Sequence, residues 1–413
     1  MVSMAYMDPG NYGTDLAAGA GYKYDLLWAV WLASGMAMLL QYLSGKLGIA
    51  SGYSLAELVK RSLNKRRYVI PYWLAAEAAI AATDLAEYLG TVLGLNLLFG
   101  VPLLYAALLG ALDVIFLLAV VGRRFRLIEQ YFVVLIGILV MGILYNLFVI
   151  GPDLTQIANH SFLPLAPDST ALLIVVGIIG ATVMPHAIFV HSWLSKNKMD
   201  LLGKRVDKGV KSFSSGTSGM EEPRLPYSTE EKHRTRKLHR NETLLALTIA
   251  GIVNAGILLV AIPLYPNPSL TVSEFVSGIG AAYGPAIGVI FVLTLLASGL
   301  SSSALGTIAG QVVMEGLIGR RLNVWARRIV TRGVNVFPTT IAILLGLDPL
   351  SLLVYSQVIL SLMIPLPMIP LVYYTSKRTV MGELVNRRST VGFAILTVAL
   401  IIGFNSYLIV TLI

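Results

Sequence analysis

The chain has 413 residues, of which 56% are hydrophobic and 13% charged, with a mean hydropathy of +0.75. A soluble domain carries ~25% charged residues, and half that share cannot cover a water-exposed surface, so an assembly of soluble domains is excluded. The formal charge of +9 comes from 31 Lys and Arg against 22 Asp and Glu. Because the basic residues sit in short loops between apolar blocks, this charge points to a membrane surface and not to nucleic acid. With no cysteine, disulfides, thiolate metal sites and cysteine nucleophiles are excluded together.

Apolar blocks of about twenty residues, enough for ~30 Å of hydrocarbon at ~1.5 Å per residue, predict an all-α membrane protein of about eleven transmembrane helices. In chain order the expected spans are Met1–Ala20, Leu26–Ala50, Val69–Phe99, Leu103–Val121, Ile128–Ile150, Ala171–Leu194, Thr243–Ile262, Pro285–Met314, Val330–Leu345, Leu350–Tyr374 and Val391–Ile413. Their continuous apolarity excludes a β-barrel, whose strands alternate. The first residues lack a basic stretch and run straight into Pro9-Gly10, so no cleavable signal peptide is expected.

All Lys and Arg except Lys23 lie on even-numbered loops, whereas Asp25, Asp153, Asp168, Glu274 and Asp348 lie on odd-numbered ones. The positive-inside rule then places the even loops and the N-terminus in the cytoplasm and the C-terminus outside a cell (inner) membrane. The long even loop, 195–241, contains a Ser/Gly-rich tract from Ser212 to Gly219 that reads as a flexible linker. After it, Ser228 and Glu231 fit a capping box opening a charged helix that leads into span seven.

Ionisable groups at membrane depth are costly and mark function. Asp8, Asp15, Glu77, Asp84, Glu87 and Asp113 fall within spans, and His186 and His191 fall in span six. Two spans also carry helix breakers beside such groups: Asp8-Pro9-Gly10-Asn11 in span one, and Ala181-Thr182-Val183-Met184-Pro185-His186 in span six. Proline lacks an N–H and glycine permits unwinding, so both spans are expected to break near mid-membrane. Freed carbonyls are tolerated there only inside protein or along a cavity, where they can coordinate a cation.

Spans one and six each open a group of five, and the groups start on opposite sides. That is the arrangement of inverted-repeat transporters with a midplane site. The expected division is 1–150 for the first repeat, 171–374 for the second and 390–413 for an additional helix. The donors at the breaks are a hard carboxylate at Asp8, an amide oxygen at Asn11, a thioether at Met184, and the Ala181 carbonyl that Pro185 frees. Oxygens alone suit Mg²⁺ or Ca²⁺; a thioether biases the set toward Mn²⁺ or Fe²⁺.

These two stretches, Met7-Asp8-Pro9-Gly10-Asn11-Tyr12 and Gly180-Ala181-Thr182-Val183-Met184-Pro185-His186, resemble the signature stretches of the Nramp family of proton-coupled divalent-metal transporters. Thr83-Asp84-Leu85-Ala86-Glu87, Gln311-Val312-Val313-Met314-Glu315-Gly316 and Ser356-Gln357-Val358 are similar to further family stretches at matching spans. The resemblance implies a LeuT-like fold with broken helices one and six, and import of Mn²⁺ or Fe²⁺ with protons by alternating access. It implies Asp8, Asn11, the Ala181 carbonyl and Met184 as metal ligands, joined by Gln357 in an occluded state. It further implies a proton route through Asp8, His186, Glu77, Asp84 and Glu87 toward Arg327 and Arg328. The metal is cargo: no resident cofactor, covalent chemistry or nucleic-acid partner is expected.

The chain also departs from the family pattern. Only seven residues precede Asp8, ~10 Å of helix against a ~15 Å half-membrane, so either the sequence starts within span one or the inner half of that span is unusual. Leu300 and Met363 stand where the family frequently has Gln. Competing readings are a Mg²⁺ or trivalent-metal transporter on the same scaffold, a sodium-coupled amino-acid carrier, and an intramembrane hydrolase using Asp84 and Glu87. Met184 argues against the first and Asp8 against the second. Two carboxylates three apart on one helix argue against the third, because they point the same way instead of flanking a substrate.

Overall fold

The computed structural model describes residues 8–110, 125–210, 228–267, 271–320 and 323–412; within these, the side chains of 125–132, 200–210, 272, 303–304, 324–325, 327–328, 331–332, 338 and 412 are not described. Residues 1–7, most of span four with Asp113, the Ser212–Gly219 tract, and the side chains of Arg327 and Arg328 therefore lie outside the described residues.

Among the described residues all regular structure is helical. Eight stretches are long and apolar enough to cross a membrane: Leu27–Ser51, Arg66–Phe99, Val133–Ile150, Ser169–Met199, Thr229–Leu264, Pro285–Ile318, Pro349–Thr375 and Arg388–Thr411. They match expected spans two, three, five to eight, ten and eleven. Span one is described as the 14-residue helix α1, Pro9–Tyr22. Span four is described only to Gly110, and span nine is a helix over Val324–Leu344 with its apolar part at Gly333–Leu344.

Helix α2 (Leu27–Ser51) ends at Gly52, whose φ of 71° suits a residue without a Cβ. Next come α3 (Leu55–Leu63), α4 (Arg66–Phe99), α5 (Leu103–Gly110), α6 (Phe125–Ile150) and α7 (Leu154–His160). The broken span follows as α8 (Ser169–Val183) and α9 (Pro185–Val210). Then come α10 (Thr229–Ala261), α11 (Val272–Tyr283), α12 (Pro285–Val313), which runs on through a π turn to Ile318, and α13 (Val324–Leu344). The chain ends with α14 (Pro349–Met363), α15 (Pro365–Thr375), a short α16 (Arg378–Met381) and α17 (Arg388–Leu412).

The expected capping box opens α10: Ser228 Oγ accepts from the Glu231 N–H at 3.2 Å, and Glu231 reaches back to the Ser228 N–H at 3.1 Å. The same Ser/Thr-x-x-Glu signature, not read in the sequence as helix starts, opens α3 at Ser54/Glu57 and α11 at Thr271/Glu274. Helix α3 buries Leu55, Ala56, Leu58 and Val59 and turns Arg61 outward, so the loop between spans two and three is an amphipathic helix.

Every residue of α1 is buried, with α4, α8, α10 and α14 around it. Small residues allow this enclosure: a Cβ at Gly13 would meet Leu353 of α14, and one at Gly19 would run into the Leu258 carbonyl of α10. At the periphery, α6 and α17 expose Met141, Phe148, Phe393 and Val410, the pattern of lipid-facing helices.

Prolines inside the spans remove ladder donors, and three of the freed carbonyls, at Ser361, Leu366 and Ala181, can be followed. Span ten, expected as one helix over Leu350–Tyr374, bends at Ile364 because Pro365 cannot donate to Ser361. Asn405 of α17 supplies the donor: its Nδ2 reaches the Ser361 carbonyl at 2.8 Å, and its Oδ1 accepts from Ser361 Oγ at 2.8 Å. Pro370 likewise frees the Leu366 carbonyl, which accepts from the Tyr72 hydroxyl at 2.8 Å. Pro185 frees the Ala181 carbonyl, and among the described residues no side-chain donor replaces it.

The N-terminal end of α8 is tied to the C-terminal end of α1. Asp168 caps α8 through the Ala171 N–H at 2.7 Å and accepts from the Tyr22 hydroxyl at 2.7 Å. The Ala171 N–H, with Tyr22 second, holds the Asp168 carboxyl below its ordinary 3.8. A depressed carboxylate contributes stability that is complete above the unfolded-state value and is lost as pH falls through the folded one. Thermal unfolding in detergent should therefore show an acid limb below about pH 4 that is flatter in Asp168→Asn. Asn405→Leu should lower stability by about 1–3 kcal/mol, because it leaves the Ser361 hydroxyl unpaired and its carbonyl with the Ile364 N–H alone, and Tyr72→Phe by about 1 kcal/mol. Equal melting of both variants and the parent protein would contradict this account of the bend.

Candidate functional site: a polar junction between two broken helices

The first break is built by Asp8. Its backbone is extended (φ −85°, ψ 162°), Pro9 takes the first helical position where a missing N–H costs nothing, and Asp8 Oδ1 accepts from the Asn11 N–H at 3.2 Å. The same oxygen accepts from Asn11 Nδ2 at 2.7 Å. The second break is Met184, which leaves the helix with φ 52° and ψ 94°. Positive φ in a side-chain-bearing residue is strained, and Pro185 immediately afterwards blocks helical continuation.

One set of hydrogen bonds joins the breaks. Thr182 Oγ1 donates to Asn11 Oδ1 at 3.1 Å, and Asn254 Nδ2 of α10 donates to the same oxygen at 3.2 Å. Gln41 of α2 donates to the Val183 carbonyl at 3.0 Å, holding the end of α8. Gln357 of α14 lies over Gly10, donating to Ser356 Oγ at 2.9 Å. Its approach depends on missing side chains: a Cβ at Gly10 would run into the Gln357 amide, and one at Gly180 into the Gln357 carbonyl. Three buried acceptors in this region, Asp8 Oδ2, Gln357 Oε1 and Gln41 Oε1, have no hydrogen-bond partner among the described residues. Buried acceptors left bare cost ~1–3 kcal/mol each, and a cation or an ordered water removes that cost.

The structure thus brings Asp8, Asn11, Ala181, Met184 and Gln357 to the facing breaks, all buried. It also shows the Asn11 oxygen already engaged by two donors, which the sequence did not reveal. His186, the second residue of α9, is 2% exposed and its Nδ1 lies 3.0 Å from Thr83 Oγ1 of α4.

The acidic stripe of α4 fans out toward different neighbours. Asp84 Oδ2 accepts from Asn335 Nδ2 of α13 at 2.7 Å. Glu87 faces α12, where a Cβ at Gly306 would fall 3.0 Å from its Oε2. Glu77, half-buried, accepts from Trp73 Nε1 one turn away at 2.9 Å. Of the unassigned residues, Asp15 is fully buried on α1, and His191 packs edge-on against His239 with ring centroids 5.8 Å apart. His160, at the end of α7, lies 3.4 Å from Asp25. Among the described residues no group of three His, Cys, Asp or Glu side chains is placed to hold a metal. The junction instead offers one carboxylate, amides, a thioether and a carbonyl.

Gln41, Thr83, Thr182, Asn254 and Asn335 were missed by a reading that followed ionisable groups and breakers. Their available signal was a neutral amide or hydroxyl inside an apolar run, as with Asn254 in span seven. If the close backbone crossing positions the junction, Gly180→Ala should cost about 1–3 kcal/mol in thermal stability. Ala at exposed Gly35, where a Cβ meets nothing within 4 Å, should not.

The family model described as "Natural resistance-associated macrophage protein-like", Nramp, matches residues 1–411. A divalent metal cation transporter MntH of Acidiphilium cryptum is 39% identical over 412 residues, 98% of this chain and 87% of that one. The MntH of Deinococcus radiodurans is 38% identical over 418 residues, 99% of this chain and 87% of its own. A crystal structure of the Eremococcus coleocola manganese transporter, in complex with an aromatic bis-isothiourea substituted compound, superposes with a TM-score of 0.82 at 29% identity, covering 98% of this chain and 83% of that chain. The inward-facing conformation of Mhp1 shares the fold alone, with a TM-score of 0.56 at 15% identity over 99% of this chain and 86% of its own. The fold is therefore LeuT-like, with helices one and six broken, in a multi-pass membrane protein, and the chain belongs to the Nramp family.

Proposed function

We propose that this protein imports a divalent transition metal, Mn²⁺ or Fe²⁺, into the cytoplasm together with protons, by alternating access. One observation carries the reading: Asp8, Asn11 and Thr182 form a continuous hydrogen-bonded unit across the two helix breaks, with Asp8 Oδ2 bare beside it. The relatives named as divalent metal cation transporters and the similar manganese transporter support the metal as cargo.

In this reading Asp8, Asn11, the Ala181 carbonyl and Met184 hold the ion, and Gln357 joins from α14. Asn11 takes part by giving up its bonds from Thr182 and Asn254. A single carboxylate suits a cargo, because the site has to release the ion as well as bind it. The thioether favours Mn²⁺ and Fe²⁺ over Mg²⁺ or Ca²⁺. A carboxylate must lose its proton to bind metal, so cation and proton compete at Asp8, with His186, Glu77, Asp84, Glu87, Arg327 and Arg328 as the proposed onward route. An amino-acid substrate is disfavoured, because Asp8 already caps the α1 N-terminus that would hold its carboxylate.

The repeats are proposed as 1–150 and 171–374, followed by a separate last helix at 390–413. The N-terminus is proposed to be cytoplasmic and the C-terminus extracellular, in a cell (inner) membrane. With that polarity the potential favours entry by ~2.3 kcal/mol per charge per 100 mV.

Liposomes containing the protein and an internal pH dye test this directly. Mn²⁺ uptake should acidify the lumen, and Asp8→Asn should abolish uptake. Met184→Ala should narrow the preference for Mn²⁺ over Ca²⁺ by about tenfold, ~1.4 kcal/mol. Metal flux without acidification would reject the proton coupling, and unchanged discrimination would remove the sulfur from the site.

A further inference from the structure

A second polar site lies further along α2 from Gln41, on the face that carries the basic loops. Residues of α2, the start of α10 and the segment leading into α17 enclose a cavity of about 590 Å³. Lys46, Arg236, Lys237, Arg240 and Arg387 line it, together with His233 and a single acid, Glu383. Among the described residues none of these five cations is ion-paired; Arg240 reaches the Asn241 side-chain oxygen, at 3.3 Å.

Lys46 makes the gathering unusual. It is 4% exposed, and among the described residues its ammonium contacts the neutral Asn386 Oδ1, at 2.6 Å, and the face of Tyr42, at 5.9 Å. A buried ammonium without a counter-charge is costly, and guanidiniums converging on it add repulsion. An anion in the cavity would remove both costs. The Asn386 N–H holds this wall in place by donating to the Thr375 carbonyl at 3.2 Å, while its side-chain Nδ2 has no partner and is a further donor.

We propose that this cavity binds a phosphate-bearing anion, with Lys46 at its floor and Arg236 and Arg387 as its forked walls. Guanidiniums match phosphate oxygens in pairs, and the buried ammonium supplies a point charge. Two sources share this chemistry, the headgroup of an anionic phospholipid and a soluble phosphate. The surroundings suit a lipid. Gly35, Met38, Leu39, Tyr42 and Lys46 form one stripe of α2, with Gly35 exposed and the next three half-buried. Near the cavity α10 and α17 expose Leu245 and Phe393. Basic pockets between helices at the membrane surface are suited to anionic headgroups.

The test uses the full chain in dodecyl maltoside and reads the melting temperature during separate titrations with phosphatidylglycerol, phosphatidylcholine and inorganic pyrophosphate at matched ionic strength. Phosphatidylglycerol should raise the melting temperature where phosphatidylcholine does not. The double variant Arg236→Gln/Arg387→Gln should need about tenfold more lipid for the same shift, ~1.4 kcal/mol. Lys237→Gln, a milder change at the cavity wall, should show a smaller weakening if the double variant does not fold. Arg388→Gln, exposed and outside the cavity lining, should respond like the parent. A shift with pyrophosphate alone, lost in the same variants, would keep the site and assign it a soluble ligand. No shift with either anion, an equal shift with phosphatidylcholine, or a shift that survives the arginine and lysine substitutions would overturn the proposal.

Discussion

A peptide carbonyl that loses its N–H partner inside hydrocarbon needs another donor or a cation, because no solvent is present to supply one. Three of the prolines within the spans show how that need is met. The carbonyls freed by Pro365 and Pro370 are met by Asn405 and Tyr72, donors projecting from other helices. The carbonyl freed by Pro185 receives no such donor among the described residues, and it lies at the break beside Asp8, Asn11 and Met184. The first two are structural bends with their polar groups satisfied. The third is left without a side-chain donor, which is why it is counted among the proposed ligands.

The enclosure of α1 follows from the same constraint. A helix whose N-terminus lies at membrane depth has unsatisfied N–H groups, and Asp8 caps them from within the chain. Glycines then let neighbouring backbones close around it, at Gly10 and Gly13 against α14 and at Gly19 against α10. Tight packing positions Gln357 over the break, and the Asn11–Thr182–Asn254 bonds fix the azimuth of α1 against α8 and α10. A few sub-van-der-Waals tolerances thus decide where the carboxylate points.

How far the site could be read in advance depended on the kind of residue. Asp8, Asn11, Met184 and Pro185 announce themselves, because an acid, a thioether and two breakers in apolar runs have few structural uses. Asn254, Gln41, Thr83 and Asn335 do not, since a neutral amide or hydroxyl in a span satisfies itself in many ways. Their partners lie 243, 142, 103 and 251 positions away. Surface helices α3 and α11 were legible in principle from their Ser/Thr-x-x-Glu starts, but short segments between spans give too little periodicity to prompt the reading. The basic cavity was visible only as loop charge, because Lys46, Arg236 and Arg387 come from three separate stretches.

Composition and local chemistry determined that this chain is helical and membrane-embedded, where its spans lie, and that two of them break beside metal-competent donors. These follow from hydrocarbon thickness, from the missing proline N–H and from ligand softness, which act on neighbouring residues. Tertiary structure alone decided that the two breaks meet through Asn11 and Thr182, that Asp84 turns to α13 while Glu87 turns to α12, and which freed carbonyls are satisfied. Those outcomes depend on helix azimuth and crossing distance. Contacts between helices remote in sequence set both, and no local pattern encodes them.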